Sequence, residues 1–386
     1  MGENLRKRYL LDLGVFIPYL FLSFIGLLIV YSTTSYVMLE GGSFFGKQAI
    51  LQFSFWVLGF FISMTIFKMK TTIIQNKRLI KIAMGTITFL ILIVFIFKPI
   101  NGAYGWIQIG AIGTIQPVEF LKIISIWFLS SSLSHRQRLI QSNFIYSTFR
   151  LIFILGIQVS IVTIYPDLGN AAVLVLIILI MILISGINYL WTIILGISGV
   201  FGSVLTVIVI NSFGGLFLPP HVIARFSVFQ NPFIDSFGNG FQLINGYYAM
   251  FNGGLFGLGL GNSIQKKGFL QFAHTDFAFS ILIEELGLLV GILVLGVLFF
   301  MICRIFLIGI KSNDAFNSMM CIGIGSLFLV SVFINLGGIT GLIPLTGITF
   351  PFVSQGGSSL LMFSVCIGFV LNISADEQRK LKTIRK

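Results

Sequence analysis

Two stretches of the chain, Leu168 to Ala224 and Ala315 to Ala375, contain no Asp, Glu, Lys or Arg, and each is more than twice the roughly 20 residues that cross a bilayer as a helix. A water-soluble helix needs one polar face, so these segments exclude a soluble fold. With 9% charged and 56% hydrophobic residues, the chain reads as an all-α polytopic membrane protein. Ten spans are expected, over residues 13–38, 48–67, 82–97, 115–134, 151–166, 168–187, 190–210, 277–303, 315–337 and 350–372. A β-barrel does not fit, because its strands alternate polar and apolar residues whereas these runs are continuously apolar. Helices satisfy their own backbone in lipid.

An even span count puts both termini on one side. Of the 24 Lys and Arg, 18 fall on that side: Arg6 to Arg8, the 68–81 loop, Arg136, Arg138, Arg150, Arg304, Lys311 and the tail from Arg379. Basic loops stay inside, so both termini are expected in the cytoplasm, with short tails at 1–12 and 374–386. The net charge of +12 then reflects span ends facing anionic headgroups, and no nucleic-acid partner is expected. The first apolar run is long enough to stay as an anchor, so no cleaved signal peptide is expected. Cys303, Cys321 and Cys366 have no metal or redox spacing.

Residues 1–386 read as one membrane domain with unequal loops. Three outward loops stand out: 98–115, the large extracytoplasmic loop 211–275 between spans 7 and 8, and 338–358, dense in Gly, Pro, Ser and Thr. Connections this long in a compact protein are commonly functional.

Carboxylates are costly near lipid and are kept there for function, which singles out Asp276 in the triplet His274, Thr275, Asp276. It stands where the large loop becomes the eighth span, with the access a general base needs; capping that helix is the plainer role. Glu284 and Glu285 follow at about 12–13 Å deeper along the helix, either locking helices together or meeting substrate. Glu119 and Lys122 share a helix face just after Pro117 and either neutralise each other or hold an anionic group. Asp167 either caps a helix or ligates Mg²⁺ or Mn²⁺ beside substrate phosphates. Arg225, the only charged residue between Asp167 and Asp235, is either a diphosphate clamp or an ordinary loop cation. No organic cofactor is expected: the glycine run Gly253 to Gly261 lacks the βαβ setting of a phosphate loop and suits close packing instead. Ser354 and Ser358 read as groups that satisfy backbone, not as nucleophiles.

Taken in order, NGAYGWIQIG, QPVEFLK, PDLGN, the glycine run, HTDF with EELG, and GITFPFVSQGGSS resemble the SEDS family of cell-wall glycosyltransferases (shape, elongation, division and sporulation proteins) over nearly the whole chain. VYSTTS, INGYYAM and GLGLGNSIQKKG are similar to its division branch in Gram-positive cocci; the rod-elongation and sporulation branches are the alternatives. The resemblance implies a ten-helix peptidoglycan glycosyltransferase of the plasma membrane, enriched at the division septum. Such an enzyme polymerises lipid II, the undecaprenyl-diphosphate disaccharide-pentapeptide, outside the membrane. A class B penicillin-binding protein and other divisome membrane proteins are the implied partners. The family's essential aspartate falls on Asp276, and its supporting polar residues on Glu119, Lys122 and Asp167. His274, Thr275, Arg225, Glu284 and Glu285 join these as candidate substrate contacts. The chain departs from the family pattern at Gln271 and Phe272, before HTDF, and at Tyr104 and Gly105, where many members carry Arg.

Asp276 as base would take the proton of the acceptor sugar's 4-hydroxyl, whose oxygen displaces lipid diphosphate at the donor's anomeric carbon. A lipid II flippase is the rival from another class, and a non-catalytic division scaffold is a third. The acidic landmarks gather at outward helix ends and form no path across the membrane, which favours the enzyme.

Overall fold

Continuous Leu, Ile and Phe runs with no internal charge become helices because only a helix satisfies its own amides in lipid. The computed structural model describes residues 10–40, 46–98, 104–109, 113–165, 167–217, 226–238 and 240–384. Its longer helices are α1 (Leu13–Glu40), α2 (Lys47–Lys68), α3 (Lys77–Ile93), α4 (Pro117–Ser134), α5 (Phe144–Ile164), α6 (Leu168–Leu183), α7 (Tyr189–Phe217), α8 (Phe241–Gly253), α9 (Ala278–Leu286), α10 (Leu288–Lys311), α11 (Ala315–Ile339) and α12 (Gly357–Ile384). A small antiparallel hairpin, β1 (Ile107–Ile109) and β2 (Gly113–Ile115), precedes α4.

Each of the ten expected segments overlaps a helix. Among the described residues, seven helices are long and apolar enough to cross a membrane: α1, α2, α3, α5, α10, α11 and α12. This multi-pass arrangement has α11 and α12 at its centre, with 78% and 94% of their apolar windows buried, against 22–44% for the other five. α12 packs along α2, α10 along α11, and α4, α6 and α11 against one another.

Small residues set the closest approach. A Cβ on Gly59 would stand 2.6 Å from Ser364 Oγ, and one on Gly368 would stand 2.9 Å from the backbone of Ser63. In lipid, where apolar helices gain little by leaving their solvent, such close packing is what holds α2 to α12. Polar side chains close the inner end. Asn372 of α12 donates to Ile66 O and Met69 O, satisfying the last carbonyls of α2. Buried Asp12 accepts from Arg304 of α10 at 2.9 Å and from Ser374 of α12 at 2.9 Å. The start of α1 and the end of α12 therefore share one face of the bundle.

Four boundaries depart from the sequence expectation. The segment expected as one span over 277–303 is two helices broken at Gly287, whose φ is +88°. α10 alone has 24 residues, about 36 Å at 1.5 Å per residue. Glu284 and Glu285 therefore lie before that helix, across the break at Gly287, and not within it. The last span begins at Gly357, after an irregular stretch, and its helix continues to Ile384, through most of the region expected as a tail. The 211–275 region holds helix α8 and a 3-10 turn at Pro232–Asp235, and α7 extends into it. The 98–115 loop carries the hairpin.

Candidate active site

Three polar assemblies occupy the outward half of the bundle. The first grows from α4 and α6. Pro117 opens α4, so Glu119 and Lys122 sit in its first turns on one face. Lys122 Nζ donates to Glu119 Oε1 at 2.7 Å and to Asn170 Oδ1 at 2.9 Å. Asn170 in turn donates from its side chain to Asp167 Oδ2 at 2.9 Å and from its backbone to Asp167 Oδ1 at 3.1 Å, which caps α6. Gln116 Nε2 completes the chain on Asp167 Oδ2 at 3.1 Å. Glu119, Lys122 and Asp167 thus form one network, joined by Asn170 and Gln116, two amides the sequence reading did not single out.

Both oxygens of Asp167 face N–H donors, and among the described residues no three His, Cys, Asp or Glu side chains converge as metal ligands. Three N–H donors use three of the roughly four lone-pair sites of that carboxylate, which leaves Oδ1 one further site.

The second assembly holds the triplet His274, Thr275, Asp276. All three are half-buried, in the turn before α9. The N-cap of α9 is Phe277, one residue after the triplet. The backbone carbonyl of Asp276 accepts from Asn335 Nδ2 of α11 at 2.9 Å, and the same amide donates to Ile348 O at 2.8 Å. A Cβ built on Gly347 would stand 3.7 Å from Asp276 Oδ2. Gly347 has φ +78°, a conformation that favours glycine, so the chain turns there directly beside the carboxylate. His274 O accepts from Gln355 N at 2.8 Å, and burial pushes the His274 imidazole below its usual pKa.

The irregular stretch between α11 and α12 connects these two assemblies. Thr346 O would lie 2.5 Å from a Cβ on Gly169, so α6 meets that stretch through bare backbone. Ser358 Oγ accepts from Gln116 N at 2.9 Å, and Ser354 Oγ from Phe350 N at 2.9 Å, so each hydroxyl satisfies a backbone amide. Gln52 and Gln48 of α2 bind Gly356 N and Gln355 Nε2 at 3.3 and 2.9 Å. The stretch runs from the Lys122 network past Asp276 and is hydrogen-bonded to helices on either side.

The third assembly contains Glu284 and Glu285, both fully buried, and lies with the glycine run. Glu284 accepts from Ser263 Oγ, Ile264 N at 3.1 Å and Asn252 Nδ2 at 3.5 Å. Glu285 Oε1 accepts from Lys266 Nζ at 2.7 Å and Ser32 Oγ of α1 at 2.6 Å. Leu258 N and Gly259 N donate to the carbonyls of Glu284 and Glu285, closing the loop onto α9. A Cβ at Gly257 would run into Glu285 O, so this run is packed as tightly as backbone allows. Both acids are turned toward protein partners of the loop and α1, away from the Lys122 network. Lys266, Asn335 and Gln355 were not among the site residues expected from the sequence. Arg225 lies outside the described residues.

A family model for cell cycle proteins, FtsW/RodA/SpoVE, matches residues 13–379. A relative in Lactococcus lactis, named a probable peptidoglycan glycosyltransferase FtsW, is 41% identical, covering 98% of this chain and 95% of its own. Stage V sporulation protein E of Bacillus subtilis is 37% identical over 94% of this chain and 96% of its own. Among solved structures, a chain of a peptidoglycan synthase complex that coordinates polymerization and crosslinking superposes with a TM-score of 0.73 at 21% identity, over 95% of this chain and 98% of its own. Rod shape determining protein RodA of Thermus thermophilus gives 0.66 at 22% identity, over 95% and 97%.

Proposed function

Since this chain belongs to the FtsW, RodA and SpoVE family of cell cycle proteins, we propose that it is a peptidoglycan glycosyltransferase that polymerises lipid II on the outer side of the membrane, at the division septum. The observation that carries the reading is the stretch from Thr346 to Ser358, which lies against Asp276 at one place and against the Lys122 network at another. One piece of backbone thereby runs beside the base and beside the network that holds the buried cation.

Asp276 takes the proton from the acceptor sugar's 4-hydroxyl as that oxygen bonds to the donor's anomeric carbon. The bond from that carbon to the lipid diphosphate breaks, and the displacement inverts the centre. Lys122 supplies positive charge near the departing diphosphate, and Arg225 of the outward loop is the second cation assigned to it. His274 and Thr275 position the turn that carries the base. The septal assignment follows the name of the Lactococcus relative. Likeness in fold to a chain of a peptidoglycan synthase complex supports a crosslinking partner, which we assign as a class B penicillin-binding protein of the division assembly.

The test is purified protein in sealed vesicles with fluorescent lipid II, with and without the penicillin-binding partner. Polymer should form with the parent and be abolished by Asp276→Asn, while thermal unfolding stays unchanged. Near-normal polymer from Asp276→Asn refutes the base. Substrate crossing the vesicle with no polymer makes the protein a transporter instead.

A further inference from the structure

Asn335 lies near the outward end of α11 and is buried, with 3% of its surface exposed. Its NH₂ group donates to two backbone carbonyls from distant parts of the chain, Asp276 O at 2.9 Å and Ile348 O at 2.8 Å. Two facing carbonyls fix which end of the amide points at them, because only the NH₂ can donate. The other end, Oδ1, is buried and accepts no hydrogen bond among the described residues. An apolar side chain of similar shape would avoid that uncompensated acceptor, so the amide serves through its two donors.

From this geometry we propose that Asn335 is a positioning residue for the transfer reaction, holding the Asp276 turn and the Gly347 turn at a fixed separation. The inference rests on the reading of Asp276 as base. A residue that holds the carbonyl of Asp276 fixes the origin of its side chain, and its bond to Ile348 O fixes the backbone next to Gly347, where an added Cβ would stand 3.7 Å from Oδ2. The scaffold beneath is rigid, since α11 is among the most buried helices of the bundle. Both donors face irregular backbone that has no helix to satisfy it, so loss of the amide frees both turns at once. A shift of about 1 Å in a catalytic group can lower a rate by about 100-fold.

The test compares Asn335→Asp, Asn335→Gln and Asn335→Ala in lipid II polymerisation, with Asp276→Asn in parallel and thermal unfolding recorded for each. Asp has the volume of Asn and at most one donor, even where burial keeps it protonated, so it cannot hold both carbonyls; Gln is larger and keeps both N–H donors. Positioning through the donors predicts that kcat falls about 100-fold in the Asp and Ala variants, with KM within about threefold of the parent and Gln retaining more activity than Asp. Packing alone predicts the reverse order, Asp above Gln, with activity tracking the unfolding temperature. That order, or parental kcat in Asn335→Asp while Asp276→Asn is inactive, overturns the proposal and leaves the base in place. Full activity in Asp276→Asn removes the base, and this proposal with it. Should Asn335→Ala fail to fold, the Asp and Gln pair still decides.

Discussion

Lys122→Met tests whether the buried cation acts on substrate or only on its neighbours. The Lys122 ammonium side chain is 2% exposed and the Glu119 carboxylate 7%, and they are 2.7 Å apart. Glu119 Oε2 already lacks a hydrogen-bond partner among the described residues, so removing Nζ leaves the whole carboxylate buried and unpaired. Breaking a buried pair from one side costs about 3–5 kcal/mol. At roughly 2–4 °C per kcal/mol for a large domain, the unfolding temperature should fall by about 10 °C. The double variant Glu119→Gln with Lys122→Met leaves no unpaired charge, and neutral replacement of both partners is commonly close to neutral in stability. It should unfold within about 3 °C of the parent. If the ammonium stabilises the diphosphate as it leaves, the double variant stays inactive in lipid II polymerisation while its stability returns. Thermal unfolding in detergent and gel analysis of polymer read the two quantities separately. Activity returning together with stability would refute a part for Lys122 in the reaction, and parental stability in Lys122→Met would refute the burial argument.

Gly169→Ala drives a Cβ to within 2.5 Å of Thr346 O, so α6 and the Thr346 stretch must separate. Stability should fall by about 1–3 kcal/mol and polymerisation by about 100-fold. Gly85→Ala, with nothing within 4 Å of its new Cβ, is the control and should match the parent or be slightly more stable. Glu284→Gln removes the charge that gathers Ser263, Ile264 and Asn252, so hydrogen exchange should speed up across 252–266 and not in α11, measured by mass spectrometry. Burial lowers the His274 pKa, so the folded state prefers the neutral ring while the unfolded chain takes a proton near 6.5. The stability this provides is complete above that value and is lost as the pH falls through it toward the lower folded pKa. The unfolding temperature should therefore drop more between pH 7.5 and 5.5 in the parent than in His274→Gln.

The spans were legible because lipid demands one simple property, unbroken apolar sequence, and α1, α2, α5 and α11 have it. The break at Gly287 was not, since a single Gly between ILIEEL and LLVGIL does not by itself end a helical pattern. What breaks it is tertiary: Leu255 O occupies the space a Cβ would need there, and Leu288 N donates to Gly254 O of the returning loop. Glu284 and Glu285 looked alike in sequence, yet neighbours on a helix point about 100° apart. One therefore gathers the 263–265 turn, while the other meets Lys266 and Ser32.

Apart from Lys266, the residues that sequence reading missed share one chemistry. Gln116, Asn170, Asn335, Gln355 and Asn372 are amides, and each has a partner remote in sequence. Charge patterning cannot reveal them, because they carry none. Neutrality is also what suits them to a place near lipid, where an ionised group is costly but an amide satisfies irregular backbone without a charge to compensate. The stretch before α12 shows the need. Phe352 holds φ +64°, a strained value for a side chain of its size, and is kept there by the rings of Tyr19, Phe328 and Phe363 at 5.3 to 5.6 Å. Irregular backbone of this kind places Gly347 beside Asp276 only if its free carbonyls and amides are taken up by fixed helices. Asn335 from α11 and Gln52 from α2 do so with neutral groups, so the stretch itself needs no charge beside Asp276 and the Lys122 network.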